Sequence, residues 1–235
     1  MKTLAIDTSL STGSVAAIDG DRIAVRLLPT AVEHARLLAA AIAAVAAELG
    51  WRPADAELVA VNRGPGSFTG LRVGVTTAKA LCWATGSRLL GIASGEVIAR
   101  NTAAALGRAD APVAIVFDAG RGEVFSTLAV PSPEYSSGWR LEAGGLAAAG
   151  DWLKQVAHGS IVTGPALALL ADALAARPDL IIAASTAWIP TAAELGRVAL
   201  LRAAAGETDD PAAVVPDYMR PSYADEHDTR CGRSD

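Results

Sequence analysis

Cysteine and histidine are scarce in this chain, with two of the first and three of the second among 235 residues. Cys82 falls within a helical pattern and Cys231 near the end of the sequence. That is too little for a disulfide framework or for a structural zinc site, which needs about four clustered ligands. His34, His158 and His227 stand singly. A helical metal pair would need a second histidine four positions after His34, and that position is Leu38. Metal catalysis is therefore disfavoured. Basic charge is short as well: 20 Lys and Arg face 25 Asp and Glu, for a net charge of −5. No global positive field is available to hold a polyanion by counterion release, so strong direct nucleic-acid binding by this chain alone is not expected. Long apolar runs are missing too. The stretch from Leu37 to Ala47 is bounded by Arg36 and Glu48 and falls far short of the roughly 20 residues that span a bilayer. Asp7 cuts the apolar start Leu4-Ala5-Ile6 before it reaches the length of a signal-peptide core. A cytoplasmic protein with no membrane association is the expectation.

What the chain does have is apolar mass of small size. Hydrophobic residues make up 51% of it, and 52 residues are alanine. That suffices for one large domain or two small ones. The first 30 residues read as three strands, Thr3 to Ile6, Ser14 to Ile18 and Ile23 to Leu28, with Asp19-Gly20 as a hairpin signal. A helix over 31–49 follows, then a strand from Leu58 to Val61, a glycine-rich loop over 63–70, a helix over 71–85, a strand over 88–92 and a helix over 95–105. The second half repeats this order in weaker form. Strands are expected over 113–117, 123–130 and near 139–142, a short helix over 151–157, a strand over 160–163, a helix over 166–176, a strand over 180–184 and a helix over 191–205. The fold class is thus α/β: two lobes, 1–109 and 110–206, each a mixed sheet covered by helices, with a C-terminal segment 207–235 whose tail is partly disordered.

Three places could carry chemistry. The octet Arg63-Gly64-Pro65-Gly66-Ser67-Phe68-Thr69-Gly70 joins a strand to a helix. It is either an anion-presenting turn at a helix N-terminus or a tight turn that seats the helix on its strand. It lacks the Gly-Lys-Ser/Thr ending of a phosphate loop, and Pro65 removes a backbone donor. Ser67 follows its glycine directly, so it is not a Gly-x-Ser-x-Gly elbow. Asp7-Thr8-Ser9 ends the first strand where α/β folds take ligands, and equally could cap a turn. Asp118 ends a strand of the second half in the same way, so the two carboxylates could face each other across a cleft. Finally, Leu38, Ile42, Val45 and Leu49 form the large-residue stripe of the first helix, while Leu37, Ala40, Ala41, Ala44 and Ala47 make an adjacent small apolar face. The helix over 71–85 is similarly rich in small residues.

These residues resemble the TsaB (YeaZ) family of tRNA threonylcarbamoyladenosine biosynthesis proteins. The likeness lies in Leu4-Ala5-Ile6-Asp7-Thr8-Ser9, Glu33-His34, Gly64-Pro65-Gly66-Ser67-Phe68-Thr69-Gly70-Leu71-Arg72, Ala78-Lys79-Ala80-Leu81 and Gly91-Ile92-Ala93-Ser94. It thins out beyond residue 100, where Asp118-Ala119-Gly120-Arg121-Gly122-Glu123-Val124-Phe125, Gly164-Pro165-Ala166 and Pro216-Asp217-Tyr218-Met219-Arg220 still look family-like. The chain departs from the pattern at Ala35, usually polar, and at Gly120, usually arginine. The resemblance implies duplicated actin-like lobes (sugar kinase/Hsp70/actin, RNase H-like) and a non-catalytic scaffold. That scaffold would work with the catalytic TsaD and the ATPase TsaE in transferring threonylcarbamoyl to N6 of the adenosine 3′ to the anticodon, touching tRNA only through the complex. It implies a partner interface of His34, Leu37, Ala40, Ala41 and Ala44 on one helix and Arg72, Val73, Thr76 and Thr77 on the next, which a homodimer could also use. It further implies a vestigial nucleotide cleft at Asp7, Thr8, Ser9, Asp118 and Gly164. No cofactor is required by this chain, with ATP or ADP a candidate ligand at the partner interface. The competing readings are an independent glycoprotease or peptidase-like hydrolase, and an actin-like kinase holding magnesium between Asp7 and Asp118.

Overall fold

The alternating apolar residues of the first thirty positions form an antiparallel meander. In the computed structural model, which describes residues 1–30 and 33–220, β1 (Thr3–Asp7) pairs with β2 (Gly13–Asp19), and β2 with β3 (Arg22–Leu28). β4 (Leu58–Gly64) joins β1 in parallel on its other side and β5 (Arg88–Ala93) joins β4, so the sheet runs β3-β2-β1-β4-β5. β1 is buried along its whole length, as its nearly unbroken apolar run requires of a central strand. The second half builds the same sheet again. β6 (Val113–Gly120) is central, β7 (Glu123–Pro131) and β8 (Trp139–Ala148) extend it antiparallel, and β9 (Ile161–Thr163) and β10 (Ile181–Ile182) extend it in parallel, giving β10-β9-β6-β7-β8. The duplicated actin-like architecture of mixed sheets covered by helices is therefore what the chain adopts.

Helices fill four layers. α1 (His34–Glu48) and α2 (Phe68–Thr85) cover one face of the first sheet, where Leu38, Ile42, Val45 and Val75 meet Leu4, Ile6, Val59 and Val61. α6 (Ala192–Ala204) covers the other face, setting Leu195, Val198 and Ala199 against Ala5, Ala16, Ala60 and Ile92. α6 follows the second sheet in sequence yet lies on the first. The alanines of β1, β2 and β4 leave room for it. α3 (Ser94–Leu106) packs on the second sheet through Ile98, Ala99 and Ala103 and so ties the lobes together. α4 (Ala149–Gln155), α5 (Ala171–Ala175) and the 3₁₀ stretch Pro165–Leu170 close the far face.

Several boundaries differ from expectation for local reasons. α2 begins at Phe68 and not at Leu71, because Ser67 caps it: its Oγ accepts the Gly70 N–H at 3.3 Å. β4 meanwhile runs on to Gly64, so only residues 65–67 of the octet lie between strand and helix. β8 extends well past Glu142 through Gly144-Gly145, where the register shifts against β7 and Gly145 takes φ +87°. The helix expected over 166–176 opens as 3₁₀ behind Pro165. β10 keeps only two residues. The Leu180 N–H is spent on the Arg177 carbonyl, and the Ala183 carbonyl accepts from the Trp188 indole.

Residues 207–220 are pinned along the first sheet and across to the second lobe. Asp209 pairs with Leu89 at the open edge of β5, Val214 is buried in the first core, and Asp217 donates its N–H to the Arg63 carbonyl at 2.6 Å. The expected tail beyond Arg220, with His227 and Cys231, and the expected first turn of α1 at 31–32 lie outside the described residues. Among the described residues no helix is long and apolar enough to cross a membrane.

Because α6 supplies the first sheet's second covering, Leu195→Ala should destabilise the protein by about 2–5 kcal/mol, the usual cost of a cavity at a fully buried leucine. Urea unfolding followed by tryptophan fluorescence reads this directly; a change under about 1 kcal/mol would mean α6 is not part of the core.

Candidate functional site

β1 ends in a carboxylate with no access to water. Asp7 is 2% exposed, and Thr8 and Ser9 are fully buried. Asp7 Oδ1 accepts the Ser9 N–H at 2.9 Å and the Asn62 side-chain amide at 3.1 Å, and the same Asn62 amide reaches Ser9 Oγ at 3.1 Å. The other end of Asn62 is equally occupied: its Oδ1 accepts the Gly64 N–H and the Ser94 hydroxyl, each at 2.9 Å. Ser94 Oγ also lies 2.9 Å from the Pro65 carbonyl. One polar network thus joins the ends of β1 and β4, the octet and the first residue of α3.

The octet folds down onto this network. The Ser67 N–H donates to the Ser9 carbonyl at 2.6 Å, and Thr8 Oγ1 donates to the Gly70 carbonyl at 2.7 Å. A Cβ at Gly66 would fall on the Ser9 carbonyl and one at Gly70 on the Thr8 carbonyl, so the close approach requires glycine at both. Of the two readings of the octet, the structure has the tight seating turn. The Ser67 N–H is spent on the Ser9 carbonyl and the Gly64 N–H on Asn62, and Ser67 Oγ serves as a helix cap.

Burial pushes the Asp7 carboxyl above its ordinary value, against the lowering effect of its bonds to Ser9 and Asn62 and of nearby His34. His34 itself is fully buried behind Gly13, and among the described residues neither ring nitrogen has a partner in full hydrogen-bonding geometry. Burial lowers its pKa, and the Leu28 carbonyl and Asp7 oppose this without overcoming it. Four positions on, where a metal pair would need its second ligand, Leu38 is packed in the first core. Among the described residues no cluster of three or more His, Cys, Asp or Glu could hold a metal ion.

The residues expected to form a nucleotide cleft are not brought together as an open mouth. Asp7, Thr8 and Ser9 are sealed beneath the octet, whereas Asp118 is exposed and accepts its own Gly120 N–H at 2.7 Å, closing the β6–β7 turn. Gly164 is buried with φ +117°, and a Cβ there would strike the Val116 backbone. Two cavities are described, one of about 250 Å³ between the lobes and one of about 240 Å³ beside β5, and none of these five residues lines either.

The expected interface residues divide in two. Ala40, Ala44, Arg72 and Thr76 are exposed, and Leu37, Ala41, Val73 and Thr77 are half-buried along the same outer side of α1 and α2. His34 is the exception. It points inward to Gly13, so it serves the core and not the outer face. Sequence reasoning missed Trp83, 68% exposed on α2 between Ala80 and Ala84, both exposed. The signal was available: Trp83 falls one residue after the buried Cys82, which turns it off the core stripe.

Residues 29–132, spanning α1, the octet, α2 and α3 through to the second lobe's first strands, match the family model of TsaD, tRNA N6-adenosine threonylcarbamoyltransferase. The tRNA threonylcarbamoyladenosine biosynthesis protein TsaB of Bacillus subtilis is 33% identical over 130 residues, 54% of this chain, and the match spans only 55% of that relative's length. An uncharacterised protein of Mycobacterium tuberculosis is 31% identical over 220 residues, covering 92% of this chain and 90% of its own. The solved structure of YeaZ from Pseudomonas aeruginosa superposes with a TM-score of 0.73 at 23% identity, covering 92% of this chain and 99% of its own. The chain belongs to the TsaB/YeaZ family. For this TsaB/YeaZ member the buried His34 gives a direct test. Its lowered pKa means that the folded state resists protonation, so stability should fall as pH drops below the ordinary histidine value of about 6.5. His34→Gln should remove that slope. Urea titrations of both forms between pH 7.5 and 5 check it, and parallel curves would show that His34 titrates as in the unfolded chain.

Proposed function

We propose that this chain acts in tRNA threonylcarbamoyladenosine biosynthesis as a non-catalytic accessory subunit, docking a TsaD-type catalytic subunit through the outer side of α1 and α2. One observation carries the reading: a two-helix layer of small residues with an exposed tryptophan lies uncovered in the very segment that matches the TsaD family model. Ala40 and Ala44 on α1 and Thr76, Ala80 and Ala84 on α2 leave both backbones open to close approach. A partner with the same pair of helices can then pack against them as in a four-helix layer. Trp83 supplies the large anchor that such a face otherwise lacks, with the Lys79 ammonium 5.9 Å from its ring centre.

The non-catalytic assignment draws support from the same geometry. The buried Asp7–Asn62–Ser94 network spends its donors and acceptors internally, and Leu38 stands where a second histidine would coordinate a metal. Ser67 Oγ accepts the Gly70 N–H as the cap of α2, a structural role in place of the nucleophile that the serine-hydrolase alternative needs. In this reading the chain needs no cofactor of its own; ATP or ADP, if bound, sits at the partner interface with TsaE acting as the ATPase. The tRNA is held by the catalytic subunit, in keeping with the net charge of −5 here.

Reconstitution of tRNA modification with TsaD and TsaE tests the role: activity should depend on this chain, and equal rates without it would overturn the reading. Two variants test the face. Ala44→Arg and Trp83→Ala change exposed side chains, so each should leave the unfolding midpoint within about 0.5 kcal/mol. Each should weaken partner binding by about tenfold or more, ~1.4 kcal/mol, in calorimetry. Unchanged affinity in both would place the partner on another surface.

A further inference from the structure

The segment after α6 is held very unevenly along its length. Its first part is fixed by hydrogen bonds and one buried side chain: the Asp209 carboxylate accepts the Gly91 N–H at 2.8 Å, Lys79 Nζ donates to the Ala212 and Val214 carbonyls, and the Val214 side chain lies in the first core. Val215, by contrast, is exposed, as are Asp217 and Tyr218, while the Asp217 N–H bonds the Arg63 carbonyl and Met219 packs on the second lobe's core. Tyr218 leans on Phe68, with ring centres 4.7 Å apart, and its hydroxyl accepts from Arg72 Nε at 2.9 Å. The Arg72 guanidinium in turn sits 4.0 Å over the Phe68 ring. Asp217 pairs with Arg63 at 3.3 Å in the open. Arg220 then crosses to the other lobe, where it bonds the Ala119 carbonyl and Glu123 on the β6–β7 hairpin.

Two clefts border the segment. The inter-lobe cavity of about 250 Å³ has Asp217 and Tyr218 for one wall and Pro65, Phe125, Thr127 and Leu141 among the others. The cavity of about 240 Å³ beneath the earlier part has Val214 and Val215 on its wall, and Arg63 borders both. Chain that borders open clefts has packed neighbours on fewer sides than a core segment, and segments of low contact density open before the core does. We infer that residues 216–220 are a latch hinged after Val214, which closes the inter-lobe cavity and fastens the two lobes to each other, with Tyr218 as its catch. The latch is closed in this structure. Because its catch is set on Phe68 and Arg72, in the first turn of α2, anything that engages that turn competes with Tyr218 for it.

Thiol labelling of the full-length chain tests the latch without a partner, so its outcome is separate from that of the proposed role. Thr127→Cys introduces a thiol on the cavity wall, and Cys231→Ser removes the thiol outside the described residues. Cys82 remains as an internal control, since it is buried on the opposite side of the first sheet from α6 and burial pushes its thiol up to about 11. With a water-soluble maleimide, adding Tyr218→Ala should raise the labelling rate at position 127 by about tenfold or more while Cys82 stays protected. Tyr218→Phe, which keeps the ring and loses the bond from Arg72, should fall between. Equal rates at position 127 with and without Tyr218 would overturn the latch, and so would a parallel rise at Cys82, because the change would then be global loosening.

Discussion

A carboxylate buried at the end of the central strand sets the terms for everything around it. An unpaired charge in such a place costs several kcal/mol, so Asp7 persists only because donors converge on it. The Ser9 N–H comes from its own turn and the Asn62 amide from the neighbouring strand. Asn62 can serve Asp7 only if its carbonyl end is also satisfied, and that demand recruits the Gly64 N–H and the Ser94 hydroxyl. Satisfying one residue thus fixes where β4 ends, where the octet turns and where α3 starts. The octet then has to pass over β1 at backbone contact distance, which explains its glycines better than any anion does. A motif that looks built for a ligand is, in this chain, the roof over a structural network.

The two lobes share a topology but not this device. Asp118 ends β6 as Asp7 ends β1, yet it turns outward and caps its own hairpin, and among the described residues nothing comparable to the octet covers it. The second sheet is correspondingly lighter, with three- and two-residue strands at its parallel edge. Two elements from the end of the chain redress the balance in favour of the first lobe. α6 returns to cover the sheet face that α1 and α2 leave open, and the segment behind it closes the free edge of β5 through Asp209. An edge strand left bare would be a template for pairing with other chains, so this closure also protects the monomer.

Much of this was legible in the sequence, and the failures have a common cause. The meander, the α/β alternation and the repeat of both could be read because their signals are local: period-two alternation, an Asp-Gly turn and helix stripes. The large-residue stripe Leu38, Ile42, Val45 and Leu49 is buried as its spacing requires. What periodicity could not reveal was long-range. Nothing in α6 says which of two similar sheets it will cover; that is decided by the small residues Ala5, Ala16 and Ala60, far away in the chain. The pairing of Asp7 with Asn62 spans 55 residues, and the contact of Arg72 with Tyr218 spans 146. The family resemblance sets His34 on the outer face, but only the fold reveals that Gly13 waits behind it. Asp7 and Asp118 looked alike because strand-end carboxylates look alike until their donors are known.

The inside and the outside of α2 are bound to one another by this arrangement. On its inner side the helix is held by Thr8 and the octet; on its outer side its first turn carries Phe68 and Arg72, which hold Tyr218, and its later turns carry Thr76, Ala80 and Trp83. A helix anchored by backbone contacts at its N-terminus cannot shift without straining the Asp7 network, so its exposed face is presented in a fixed position. Fixed presentation lowers the ordering cost of docking, which is where small-residue faces with few strong contacts have most to gain. In the proposed role, the buried carboxylate therefore contributes to association at a distance, by making rigid the surface offered to a partner.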